Sequence, residues 1–122
     1  MGVSTDALLL YGLNVGEDLV DVARNLDMYE EGTDYDSLEG EEVYEALDEW
    51  LPRSLELVLS GHIDGCPSYF IAAKGHLTAN RGYEKEVRQL PKVSKTARAA
   101  LREFSKQLNL RPCYWLASYT DF

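Results

Sequence analysis

The sequence predicts a small α+β protein, a mainly antiparallel sheet with two or three helices packed on it. Three observations carry this expectation. Short apolar runs and alternating segments, of strand length, recur near both ends and in the middle of the chain. Two longer segments instead repeat their apolar residues every three or four positions, the period of a helix. A turn, Asp64-Gly65-Cys66-Pro67, joins the two middle strands as a hairpin. At 122 residues the chain reads as a single domain, residues 1–122. A chain of this length buries roughly two thirds of its unfolded surface, enough for one core without metals or disulfides.

The elements follow in order. Residues 6–11, Asp-Ala-Leu-Leu-Leu-Tyr, form an apolar run bounded by Thr5 and Gly12, the mark of a buried strand. Leu19, Val22, Ala23 and Leu26 fall at helical spacing, and Glu17 and Asp18 suit the positive end of that helix. Residues 27–40 are rich in acid, Gly and Tyr and read as a long exposed loop. Val43, Leu47, Trp50 and Leu51 then mark a second helix, ended by Pro52. Leu55, Leu57 and Leu59 alternate along a strand running to about Ile63, and Ser68 to Ala73 form its return, extending to about Ala79 before a turn at Arg81-Gly82-Tyr83. Ser94 is a suitable N-cap for the strongest helix, in which Ala97, Ala100, Leu101, Phe104 and Leu108 line one face and which stops at Asn109. Cys113 to Tyr119 is the last strand.

Composition excludes several classes. Eight tyrosines and two tryptophans do not suit a disordered chain. No apolar run approaches the ~20 residues that span a bilayer. The N-terminus lacks the basic region of a signal peptide, and Asp6 stands where a myristoylation signal needs Ser or Thr. A cytoplasmic location is expected. In that compartment Cys66 and Cys113 are expected as free, partly buried thiols, with a disulfide between them as the alternative.

Charge is segregated along the chain. Residues 1–60 carry 16 Asp/Glu against Arg24 and Arg53, a net of −14; residues 61–122 carry 5 against 10 Lys/Arg, a net of +5. Between Asp27 and Glu49 there are 11 acids and no Lys or Arg. The overall −9 disfavours direct nucleic-acid binding and favours a partner with a basic surface. The candidate contact residues are Glu30, Glu31, Asp34, Asp36 and Glu39 in the loop, then Glu41, Glu42, Glu45, Asp48 and Glu49 on the helix. Such a face could occupy a nucleic-acid channel on another protein. A solvated helix face is the plainer alternative, but exposed helices usually mix signs for i, i+4 support.

Other candidates are weaker. His62, Asp64 and Cys66 are zinc-ligand types, yet they lack paired ligand spacing, so a turn aspartate and a structural thiol are expected. Drawing Cys66 or Cys113 with His62 or His76 as nucleophile and base has no support from spacing. There is no Gly-rich phosphate loop, no G-x-S-x-G and no HExxH. No enzyme activity, metal or cofactor is expected. Lys95, Arg98, Arg102 and Lys106, with Arg81, Lys85, Arg88 and Lys92 upstream, form a basic counterpart that could answer the acidic helix within the domain or across a homodimer. Trp50, Phe70, Phe104, Tyr114 and Trp115 are expected in packing, and Tyr29, Tyr35 and Tyr83 in partner contact.

Four short motifs, in order, carry a resemblance. They are Gly2-Val3-Ser4-Thr5-Asp6-Ala7; Gly61-His62 followed by Cys66-Pro67 and Tyr69; Arg81-Gly82-Tyr83; and Tyr114-Trp115-Leu116-Ala117-Ser118-Tyr119. Together the chain resembles a group of small uncharacterised proteins encoded by tailed bacteriophages. The resemblance covers about a third of the chain and leaves out the acidic stretch 27–49. It implies a phage origin and the host cytoplasm, and no catalytic residues. In size and acidity alone the chain is similar to anti-CRISPR proteins, which act by occupying a host protein. The expectation is a non-enzymatic phage accessory protein that binds and inhibits a host protein, such as a CRISPR or other defence nuclease, through its acidic surface. The alternative is a small self-associating scaffold protein.

Overall fold

The strand β1 (Thr5–Gly16) is the one on which the sheet is assembled. The structure is a computed structural model and describes residues 5–60, 68–80 and 86–118. Three strands pair with β1, all antiparallel: β3 (Ser68–Ala73), β4 (Leu77–Asn80) and β5 (Cys113–Ser118). A further strand, β2 (Leu55–Ser60), pairs antiparallel with β3. Leu9 stands opposite both Leu77 and Leu116, and Gly12 opposite both Ala72 and Cys113. A strand has two edges, so β3 and β4 share one edge of β1 while β5 occupies the other. Edge to edge, the open sheet runs β2, then β3 continued by β4, then β1, then β5.

The break between β3 and β4 falls at residues 74–76, where Gly75 takes a positive φ of 99°. That geometry is open to glycine and strained for other residues. The single return strand expected to reach Ala79 is therefore two strands bent around Gly75. The expected turns at 64–67 and 81–83 lie outside the described residues, as do His62, Asp64, Cys66 and Tyr83.

Three helices cover one face of the sheet: α1 (Leu19–Asn25), α2 (Gly40–Trp50) and α3 (Lys95–Leu108). Their buried residues follow the 3–4 spacing of the sequence: Leu19, Val22 and Ala23 on α1, Val43 and Leu47 on α2, Ala97, Leu101 and Phe104 on α3. They meet Leu13, Leu55, Leu57, Ile71 and Ala73 from the sheet in one cluster. The ends are set by caps. Asp18 stays outside α1 and accepts the Asp21 N–H at 3.1 Å; Ser94 accepts the Ala97 N–H at 3.1 Å; Asn109 closes α3 in the left-handed region at φ 55°. Asp18, expected with Glu17 at the positive end of this helix, is its N-cap, and the helix itself begins at Leu19.

The opposite face holds a smaller cluster of Leu8, Leu10, Phe70 and Ala72, flanked by Val58, Trp115 and Ala117. Here β1 departs from expectation by running on past Gly12. Glycine at this position is a device for close approach: a Cβ would meet the Ile71 carbonyl oxygen at 2.2 Å and the Ala72 Cα at 2.7 Å. The Trp115 indole N–H donates to the Gly12 carbonyl at 3.0 Å, and its ring packs on Phe70 with centroids 5.6 Å apart. The space that a side chain would need at Gly12 is thus taken by the backbone of β3, and the register sets Gly12 opposite Ala72 on one side and Cys113 on the other.

Candidate functional site: an acidic surface on one helix and its leading loop

Burial of Val43 and Leu47 fixes the orientation of α2 and turns Glu41, Glu42, Glu45, Asp48 and Glu49 to solvent. All five are exposed, and so are Glu30, Glu31, Asp34, Asp36 and Glu39 in the loop before the helix. Glu41, Glu45 and Glu49 recur at i, i+4 and i+8, one above another on the helix. Like charges at that spacing each cost an isolated helix about 0.2–0.5 kcal/mol. Glu39, Glu41 and Glu42 at the start of α2 complement its dipole. Asp48 and Glu49 at the other end oppose it, and no Lys or Arg occupies that last turn.

The loop is built, not slack. Asp27, directly after α1, takes the left-handed conformation at φ 53° and turns the chain. Asp34 accepts the Asp36 N–H at 3.2 Å, capping a 3-10 turn over Tyr35–Ser37. Thr33 and Ser37 hydroxyls donate to the carbonyls of Glu30 and Asp34 at 2.6 and 2.8 Å. Met28, Tyr29, Tyr35 and Leu38 point inward and pack against the main cluster. Tyr29 and Tyr35 were expected in partner contact; they are half-buried and meet edge to face, with centroids 5.9 Å apart. Their apolar bodies anchor the loop, which leaves the acids as its outer layer.

Among the described residues, these acids are scarcely neutralised. Arg24 of α1 reaches Asp36 at 3.4 Å and lies over the Tyr35 ring at 5.4 Å. Among the described residues it is the one cation paired with the ten candidate acids. The basic stripe on α3 does not answer α2 within the chain: Lys106 pairs with Glu103 at 3.4 Å, Arg98 lies over the Tyr11 ring at 5.1 Å, and Lys95 and Arg102 are exposed. Arg88 pairs locally with Glu86, and Lys92 is exposed.

Two aromatic residues border the acidic helix that sequence reasoning did not assign to contact. Trp50, expected in the core, packs on Phe104 with centroids 5.7 Å apart yet stays 42% exposed beside Glu49. Tyr44 is half-buried against Tyr69, and the two rings share an open groove of about 410 Å³ with Gly40, Glu41, Glu45 and Leu59. Burial, then the Asp48 carboxylate and Tyr69, push the Tyr44 phenol above its ordinary pKa. The helical period alone could have flagged both residues as boundary positions, since each lies one step from the buried stripe.

The remaining candidates separate in space. His76 pairs through Nδ1 with Glu56 at the bend between β3 and β4. Cys113 is free and exposed at the start of β5; it was expected partly buried. Among the described residues no three His, Cys, Asp or Glu side chains converge as a metal-binding group. No described helix is long and apolar enough to cross a membrane. The chain matches no family model, no curated protein and no solved structure.

Proposed function

We propose that the protein is a non-enzymatic binding protein whose acidic loop and α2 occupy a basic surface on another protein. One observation carries the reading. Ten exposed acids sit on an ordered loop and helix, nearly unpaired among the described residues, in an arrangement that works against the stability of α2. A purely solvating face has no reason to place Asp48 and Glu49 at the negative end of a helix or to stack Glu41, Glu45 and Glu49. A partner's Lys and Arg would relieve both costs. Trp50 and Tyr44 at the margin supply residue types that anchor protein interfaces.

The host-cell setting rests on the sequence resemblance to tailed-phage proteins, and the inhibitory outcome on the likeness to anti-CRISPR proteins in size and acidity alone. They complete the proposal as a host protein in the host cytoplasm, inhibited by occupation, with a CRISPR or other defence nuclease as the favoured class. The acidic surface would then stand in for nucleic acid on a basic channel and associate by electrostatic steering.

The test is affinity capture from infected host cells with the wild type and with a Glu41→Lys, Glu45→Lys, Glu49→Lys triple variant. The reading expects a host protein held by the wild type, released by salt and lost in the variant. Equal capture by both chains would refute the acidic contact.

A further inference from the structure

The outer edge of β5 is an open edge of the sheet. β5 pairs with β1 alone, and among the described residues its other edge makes no backbone hydrogen bond. Proteins blunt exposed edges with charge, proline or bulges. The strand Cys113-Tyr114-Trp115-Leu116-Ala117-Ser118 contains none of these. Leu116 is 79% exposed. It also ends a row, since the register sets Leu77, Leu9 and Leu116 side by side across β4, β1 and β5. That row lines an apolar groove of about 180 Å³ with Ala7, Ala79 and Val87. An apolar patch that runs into an unpaired strand edge marks an interaction surface.

The occupant must offer an extended backbone edge and an apolar patch continuous with it. β5 offers both to itself. We propose that a second copy of this chain docks there, β5 against β5, antiparallel about a two-fold axis. Placing Leu116 opposite its mate also places Trp115 opposite Ala117, a large side chain against a small one, and Tyr114 opposite Ser118 in register. The leucine row then continues unbroken into the second copy. A one-residue slip would instead join unlike faces of the two sheets.

Charge selects the same arrangement. Each chain carries −9, so two copies repel unless their acids stay apart. The acidic helix packs beside β2, the edge farthest from β5. Docking at β5 sets the two acidic surfaces at opposite ends of a doubled sheet, well beyond the Debye length of about 8 Å at physiological salt. The dimer does not depend on what the acidic surface binds, and it would present that surface twice. It also differs from a dimer that pairs acidic with basic faces.

Sedimentation velocity of the full chain at tens of micromolar tests the proposal. The wild type is expected as a two-chain species at physiological salt. Leu116→Lys, at a position too exposed to matter for folding, should weaken association by about tenfold or more, because it sets two like charges opposite each other. Circular dichroism checks that the variant folds. Glu41→Lys with Glu45→Lys should leave the dimer unchanged. Leu116→Cys in a Cys66→Ser, Cys113→Ser background, which has no other thiol, should cross-link on oxidation, while the background alone does not. Opposed residues in an antiparallel pair lie about 4.5–5.5 Å apart, within disulfide reach. If Leu116→Lys misfolds, the cross-link decides. A monomeric wild type, a dimer indifferent to a folded Leu116→Lys chain, a dimer abolished by the glutamate changes, or no cross-link would each overturn the proposal.

Discussion

At the last turn of α2, Asp48 and Glu49 face the carbonyl end of the helix, and that turn holds no Lys or Arg. Replacing either with Lys reverses an unfavourable dipole interaction and should stabilise the fold by about 0.3–1 kcal/mol, read as a higher midpoint in urea. The same changes should weaken partner binding, so stability and function move in opposite directions at one position. Gly12 gives the contrary case. An added Cβ would press on the backbone of β3, and Gly12→Ala should cost about 3 kcal/mol or more, measurable by chemical denaturation. Tyr44 gives a dependence on pH. Its folded pKa is raised, so its contribution is intact below the ordinary tyrosine value of 10.0. As pH rises from there through the higher folded value, the unfolded chain ionises first and stability falls. A Tyr44→Phe chain should lose less stability over that alkaline range than the wild type.

Among the elements, α2 and α3 were legible in the sequence because local information suffices to define them. Val43 and Leu47, or Ala97, Leu101 and Phe104, repeat at the helical period, and Ser94 and Asn109 mark the ends of α3. What was not legible depends on neighbours distant in the chain. Gly12 looked like the end of a strand, and only the approach of β3 shows it as a place where the backbone of β3 leaves no room for a side chain. Gly75 looked like part of a continuous strand, and only pairing with β1 reveals the bend. The acids of the loop were legible as an exposed set, but not the inward turn of Tyr29 and Tyr35, which the main cluster imposes. Arg24 ties that loop to α1 through Asp36 and Tyr35. The ion pair is exposed and worth at most about 1 kcal/mol. Arg24→Ala should therefore leave global unfolding nearly unchanged and speed amide hydrogen exchange across residues 33–38.

Across the whole molecule, no described Lys or Arg of the second half pairs with an acid of the first. The acids collect on α2, which packs beside β2, and on its leading loop, which Arg24 ties to α1, while the cations of α3 find local partners or solvent. The sheet therefore has an acidic side and, at the other edge, an uncharged apolar strand. Binding through the first and self-pairing through the second use separate surfaces and can be broken separately. The most direct test of the central claim is the affinity for the captured partner as a function of salt. Between about 0.01 and 0.15 M the Debye length falls from about 30 to 8 Å. The account predicts a dissociation constant that rises steeply over that range for the wild type, and a much flatter line once Glu41, Glu45 and Glu49 are Lys. A tight complex with the same affinity at both salt concentrations would contradict it.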